Sequence, residues 1–451
     1  MYPLYLGRNP MIQSLKHTDP QIFSLIKAEA KRQKNVLEMI ASENYTSHAV
    51  MEALGSVLTN KYSEGFPGKR YYQGNSIADE VEMLAQERAK HLFGVPYVNV
   101  QPLSGAPANS AVYFAVLKNG EKMMGLSLAM GGHITHGHKL GLSGRLFTSV
   151  HYELGKDALL DYDAIEKQVM QEKPQLLICG YTAYPREIDF KRFGEIADKA
   201  GCYLMADVSH ITGLIVAGVH PSPVPYAHIV TTTTHKTLRG PRGAMILVTE
   251  KGLQKDPELP KKLETAIIPG LQGGPHDNQT AAIAVSLKEA ATASFKKYGK
   301  QIVANAQALA AELQKQGFEL VSGGTDNHLI LLDLRNKKVN GRVAAIALEA
   351  AGIVLNYNGV PGDEMPPLFA SGIRLGTPAI TTRGLKEKDM KKIAEWYRLA
   401  VKEVEGMDLP SDDKVKRSTL FKEYKAAMLK NKKLPAIAKE VKAFCKKFPI
   451  E

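Results

Sequence analysis

The chain has 451 residues, 44% of them apolar and 23% charged, with a formal charge of +12. That length exceeds one ordinary core and implies two domains with some terminal extension, while the composition excludes a largely disordered chain. No apolar run approaches the ~20 residues that span a bilayer.

The N-terminal stretch Met1 to Pro10 lacks the basic flank and apolar segment of a signal peptide. The protein therefore reads as cytoplasmic. Its three cysteines, Cys179, Cys202 and Cys445, are scattered without metal-ligand spacing and read as inert thiols. The first clear helix starts at Ser76: Ser76-Ile-Ala-Asp79 resembles a capping box, Ile77, Val81, Leu84, Ala85, Ala89 and Leu92 share an apolar face, and Gly94 is a C-terminal stop. A strand at Tyr97 to Gln101 follows, then the turn Ser104-Gly-Ala-Pro107 and a small-residue helix from about Ala108 to Leu117. Free N–H groups at that helix start form an anion cradle. The segment Gly131-Gly-His133-Ile-Thr-His136-Gly-His138 has the look of a metal cluster. With no carboxylate or cysteine beside it, a histidine stacked on a planar ring is the better functional reading, and no metal is expected.

Further strands are predicted at Leu176 to Cys179, Tyr203 to Ala206 and Ile229 to Thr233. Helices and strands alternating from residue 76 to about 250 predict an α/β domain with a mainly parallel sheet, whose ligands bind at the carboxyl ends of the strands. After about Ala290 long helical patterns surround two β-like pieces, Leu329 to Asp333 and Ile353 to Asn356, read as a smaller second domain. The lysine-rich C-terminus follows an amphipathic pattern (Ala438, Val441, Ala443, Phe444), which favours a solvated face over a nucleic-acid site.

Two residues carry the chemistry. Lys236 follows the β-branched run Thr231 to Thr234, a stiff support for a side chain that can form a Schiff base, and Arg239 and Arg242 are expected to lower its pKa. Alone it would read as a surface lysine. Asp207 ends the strand from Tyr203, where a carboxylate can hold the ring-nitrogen proton of pyridoxal phosphate. Alone it would read as a turn former or cap. Their order, strand-Asp207 and then strand-Lys236 across one connection, raises the functional reading above the bland one.

Several motifs in this order resemble the serine hydroxymethyltransferase family: Ala41-Ser-Glu-Asn-Tyr-Thr46, Asn60-Lys-Tyr-Ser-Glu-Gly65, Pro67-Gly-Lys-Arg-Tyr-Tyr72, Gly131-Gly-His-Ile-Thr-His136, Thr231-Thr-Thr-Thr-His-Lys-Thr237, Gln272-Gly-Gly274 and Ser371-Gly-Ile-Arg-Leu-Gly-Thr-Pro378. The resemblance runs from about Asp19 to the C-terminal helix. It implies an α/β fold-type I pyridoxal-phosphate transferase, aspartate aminotransferase-like, with a mainly parallel seven-stranded sheet in the large domain and a smaller α+β C-terminal domain. The expected division is an arm with helices over 1–60, a cofactor domain over 61–290 and a small domain over 291–451.

By the same resemblance, Lys236 holds pyridoxal phosphate covalently, Asp207 partners the ring nitrogen and His133 stacks on the ring. Thr182 and His210 lie near the ring's phenolic oxygen, Thr233 hydrogen-bonds within the site, and Ser104, Gly105, Ala106 and His235 meet the phosphate. Arg374, supported by Ser42, grips the substrate carboxylate. Tyr62, Glu64, Tyr72, Gly273 and Gly274 come from a neighbouring subunit, with Glu64 as main acid-base group, so a homodimer or a dimer of dimers is implied. Leu128, Gly132, Ile134 and Asn358 hold tetrahydrofolate as co-substrate. The implied reaction turns serine and tetrahydrofolate into glycine and 5,10-methylenetetrahydrofolate; partners are small molecules and the chain itself, with no membrane. Two departures stand out: Ala106 where the family often has a serine, and Leu271 where a glycine commonly precedes Gln-Gly-Gly. A folate-independent aldolase of threonine-like substrates, an α-methylserine hydroxymethyltransferase, or a nucleic-acid-binding protein on an inactive scaffold are the alternatives.

Overall fold

The computed structural model describes residues 14–450, so the Met1 to Pro10 stretch lies outside the described residues. Its main element is a seven-stranded sheet in the order Tyr97–Asn99, Ala244–Val248, Ile229–Thr233, Tyr203–Asp207, Leu176–Cys179, Lys122–Leu126 and Thr148–Tyr152. Only Ala244–Val248 runs against the others. Strands covered by helices on both faces read as continuous apolar runs, because the period of two sends alternate residues into different cores. Thus Leu177 and Cys179 join one cluster with Phe193 and Ile196, while Leu176 and Ile178 join the other with Tyr113 and Ile267.

Lys122–Leu126 and Thr148–Tyr152 were not anticipated. The first is methionine-rich with an internal glycine and carries no β-branched signature, whereas the second is a short edge strand whose alternate residues Thr148, Val150 and Tyr152 do favour a strand. The helix Ser76–Phe93 ends at Gly94 in the left-handed conformation, as expected. Its start and its face differ from expectation. Asn75 is the N-cap, no side chain caps the turn, and Asp79 bonds Gly68 and Arg70 instead. The helix buries Ala78, Glu82, Ala85 and Ala89 and leaves Ile77 and Leu84 exposed.

The buried Glu82 belongs to an ionic network under the Tyr62–Tyr72 loop. Arg70 reaches Glu82 at 2.7 Å and Asp79 at 2.8 Å and donates to the carbonyls of Ser63 and Gly65, while Gln101 donates to Glu82 and to Gly65. The Arg70 and Glu82 side chains are only 3% and 2% exposed. Removing one member of such a pair strands the other charge in a dry site. Arg70→Ala is therefore expected to cost about 3 to 5 kcal/mol, read as a lower urea midpoint and Tm.

A second, four-stranded antiparallel sheet has the order Glu319–Leu320, Leu329–Asp333, Gly372–Gly376 and Asn356–Asn358. Its core gathers Ile330, Leu332, Ile373 and Leu375 around Trp396 and Tyr397. Residues 414–450 hold 12 lysines and arginines against 2 glutamates, so +10 of the chain's +12 sits there. The helix Lys433–Cys445 buries Leu434, Ile437, Val441 and Cys445, not the Ala438, Ala443 and Phe444 positions of the expected stripe, and every lysine from 414 to 447 faces outward. No described helix is long and apolar enough to cross a membrane.

Candidate functional site

Asp207 and Thr231 lie in register on adjacent parallel strands, so the two strands deliver Asp207 and Lys236 to the same sheet edge. Beyond Thr233 the chain closes a tight loop: Thr234 N donates to Gly243 O, Gly240 N to Thr234 O, and the Thr234 hydroxyl to Pro241 O at 2.6 Å. Asn44 donates to the Lys236 carbonyl at 3.0 Å and to Tyr298, holding the loop from outside. Burial lowers the Lys236 pKa to about 8 against the opposing pull of Asp207, with Arg374 and Arg242 adding to the depression. Arg239 does not contribute as expected: its guanidinium lies 4.8 Å from the centre of the Tyr298 ring.

Asp207 is held by four donors. Ser209 gives its N–H and its hydroxyl (2.6 Å) to Oδ1; Asn109 (2.9 Å) and His136 (3.1 Å) donate to Oδ2. Burial opposes the charged form, but the His136 hydrogen bond and the positive surroundings more than offset it and hold the carboxyl well below the usual range. Asn109 also donates to Thr135 Oγ1, which lies 2.7 Å from His133 Nδ1, and that nitrogen accepts the Thr135 N–H. The acceptor role of Nδ1 puts the ring proton on Nε2. Burial lowers the His133 pKa to about 4, so the ring is neutral at pH 7.

At the start of the helix Gly105–Val116, Ser104 makes no side-chain cap. The N–H groups of Gly105 and Ala106 have no acceptor among the described residues, and Pro107 has no N–H to satisfy. A Cβ on Gly105 would come within 2.8 Å of the Thr233 methyl, so only glycine lets the strand and the helix start approach this closely. His235 lines the same space with a buried, unpartnered Nδ1. An open helix start, a free serine hydroxyl and an orphaned ring nitrogen fit a phosphate. Ala106 keeps the amide that matters. The Thr233 hydroxyl bonds Ser209 O and faces inward to the wall.

Arg374 reaches the site from the second sheet. Ile373 and Leu375 point into that sheet's core, so alternation turns Arg374 to the opposite face. Its Nε donates to Asn356 Oδ1 at 3.1 Å and Nη1 to Thr182 O at 2.7 Å, leaving Nη2 without a partner among the described residues. Burial lowers its pKa to about 10, which leaves it charged. The Thr182 hydroxyl is spent on the Gly131 and Gly132 carbonyls. His210 stacks on His328 at 5.6 Å, and burial drives both rings to the neutral form.

Ser42, Ser104, Gly105, Ala106, His133, Thr182, Asp207, His210, Thr233, His235, Lys236 and Arg374 line one cavity of about 520 Å³. Leu128, Gly132 and Ile134 line it too. Leu128 and Gly132 also border a second cavity of about 450 Å³ with Tyr357, Asn358, Met365 and Pro367. The other five expected residues stand elsewhere. Tyr72 approaches Glu64 at 3.4 Å, Tyr62 and Tyr72 pack edge to face, and Gly273 and Gly274 lie against Glu64 and Tyr62. None of the five lines the Lys236 cavity, and Tyr62 and Tyr72 are exposed. Leu271 does not disturb this loop: it packs on the core, and Gln272 is fixed to Leu103 N and Gln101 O.

Sequence reasoning passed over Asn44, Asn109, Thr135, His136 and Ser209. Asn44 and His136 lay inside motifs already quoted, and Asn109 one turn past the cradle, but each acts through a partner distant in the chain.

The model of the serine hydroxymethyltransferase family matches residues 15–397. A curated relative, the serine hydroxymethyltransferase of Desulfotalea psychrophila (strain LSv54 / DSM 12343), is 51% identical over 442 residues, 98% of this chain and 97% of that protein. The chain belongs to the serine hydroxymethyltransferase family.

Proposed function

We propose that the chain is a pyridoxal-phosphate enzyme that moves the hydroxymethyl carbon of serine reversibly onto tetrahydrofolate, giving glycine and 5,10-methylenetetrahydrofolate. The observation that carries this reading is the convergence of Lys236, Asp207 and Arg374 on one cavity beside an open phosphate cradle. The site fits the cofactor: Ser104, Gly105, Ala106 and His235 would hold its phosphate, Asp207 its ring nitrogen and Lys236 its carbonyl carbon. Bound there, pyridoxal phosphate supplies an electron-accepting ring for the bond broken at the amino acid's Cα.

The chain's own residues do the rest. The Lys236 amine, with its pKa near 8, is available in neutral form to bond the cofactor and to recover it after release. Asp207, ionised and held by four donors, would keep a proton on the ring nitrogen. A neutral His133 can cover the ring without adding a charge that competes with Asp207. The unpartnered Nη2 of Arg374, with Ser42 lining the same cavity, would take the substrate carboxylate. Thr182 and His210 would border the cofactor's phenolic oxygen, and Thr233 braces the wall through Ser209.

Glu64 would move the serine hydroxyl proton, with Tyr62, Tyr72, Gly273 and Gly274, from a second subunit. Support for a homodimer comes from these five residues forming one surface group outside the Lys236 cavity, and from neighbouring apolar side chains left bare: Val57 is 74% exposed, Tyr71 71% and Ile77 61%. In this reading residues 61–290 form the cofactor domain and 291–451 the small domain bringing Arg374 and Asn358. Leu128, Gly132, Ile134 and Asn358 would hold the pterin. The free, buried state of Cys179, Cys202 and Cys445 suits a reducing cytoplasm.

The deciding assay is glycine release from serine with and without tetrahydrofolate. Release that depends on tetrahydrofolate is expected; equal rates would favour a folate-independent aldolase.

A further inference from the structure

The second cavity has one wall made by the loop from Gly359 to Ala370, which supplies Gly359, Asp363, Met365, Pro367 and Ala370. Its first half is well anchored. Arg335 donates to the Pro361 and Gly362 carbonyls, and Asp363 accepts from Met365 N, Ser371 N and the Ser371 hydroxyl. Its second half hangs on two residues at the start of the helix Gly341–Ala350. Arg342 donates from Nη1 to Leu368 O, and the helix N-cap Asn340 donates to Phe369 O.

The Arg342 guanidinium is surrounded by rings from three segments: Phe421 at 4.5 Å, Phe369 at 5.0 Å and Tyr357 at 5.8 Å. Phe369 packs edge to face on Phe421 at 5.4 Å, and Arg417 lies 5.6 Å from the centre of the Phe369 ring. Tyr357 is itself a cavity residue. Phe421 belongs to the helix Lys414–Lys430, which contributes nothing to either cavity. A planar guanidinium can meet several ring faces while keeping its hydrogen bonds, which a lysine cannot reproduce.

We infer that Arg342 and its cage of Tyr357, Phe369 and Phe421 are positioning residues that set the folate wall, so that the helix Lys414–Lys430 governs affinity for tetrahydrofolate without touching it. The inference rests on the proposed function in taking the second cavity as the pterin site. Loss of the cage lets the Pro367 to Ala370 segment move away, weakening capture of the pterin while leaving the chemistry around Lys236 intact.

The test uses the full-length holoenzyme and its Phe421→Ala, Phe421→Tyr and Arg342→Lys variants. Four quantities are measured: the Kd and KM for tetrahydrofolate, kcat at saturating folate, and folate-independent cleavage of a 3-hydroxy amino acid. Phe421→Ala and Arg342→Lys are expected to raise Kd and KM about tenfold, with kcat and the folate-independent reaction unchanged, and Phe421→Tyr to restore the wild-type values. Unchanged Kd in both damaging variants would overturn the inference. So would a parallel loss of folate-independent cleavage, which marks general structural damage. Failure of the unsubstituted enzyme to bind tetrahydrofolate would overturn the proposed function itself and this inference with it.

Discussion

Lys236→Ala is expected to remove serine turnover, lowering kcat by about 10³-fold or more, since the covalent attachment and recapture of the cofactor at each turnover are lost. The fold should survive, because the Lys236 loop is held by backbone and Asn44 contacts and not by the ammonium. The purified variant should lack the visible absorption of a lysine-bound cofactor. The wild-type lysine also makes a pH prediction. Burial, Arg374 and Arg242 favour the neutral amine, so its pKa falls from 10.5 to about 8. Capture of pyridoxal phosphate by the apoprotein should therefore rise about tenfold per pH unit below pH 8 and level off above it. Appreciable turnover by the alanine variant, or capture still climbing steadily at pH 10, would sink the assignment.

Asp207→Asn is expected to lower kcat by about 10³-fold, equivalent to the roughly 4 kcal/mol at stake when a buried charge loses its partner. The substitution keeps the shape but removes the charge. It also turns an acceptor that faced Asn109 and His136 into an amide that can satisfy only part of that network. Because the carboxyl is held well below its usual range, Asp207 stays ionised throughout the neutral region, and no acid limb of the wild-type rate near pH 5 to 7 should trace to it. Steady-state kinetics together with the cofactor's Kd separate the two contributions: kcat should fall far more than cofactor affinity. Wild-type kcat in Asp207→Asn would remove Asp207 from the chemistry.

Much of this site is legible in the chain because its pieces are local. The β-branched run before Lys236, the apolar strand ending at Asp207 and the glycine at the cradle each announce themselves within a few residues, and their order limits the sheet to a few topologies. The strand Lys122–Leu126 was illegible because methionine and glycine carry no strand pattern, whereas Thr148–Tyr152 has alternating Thr, Val and Tyr over only five residues and gives a short signal. The face of the helix from Ser76 was misjudged for a related reason: periodicity says which residues share a face, not whether the partner is this chain's core. There the core takes alanines and an ion-paired glutamate, while Ile77 and Leu84 remain outside.

The sequence by itself pointed to the α/β class, the lysine and its carboxylate, since each rests on residue type and spacing along one strand or turn, while the arginine came with the family resemblance. Only the tertiary structure decided how those groups are tuned. The depressed pKa of Lys236 comes mainly from burial and partly from an arginine 138 positions away in the chain, not from Arg239 beside it. The Asp207 carboxylate depends on Asn109 and His136, 98 and 71 positions away in the chain. Electrostatics and hydrogen bonding act through distances of a few ångströms in space. The chain order holds no record of those distances until the sheet has formed.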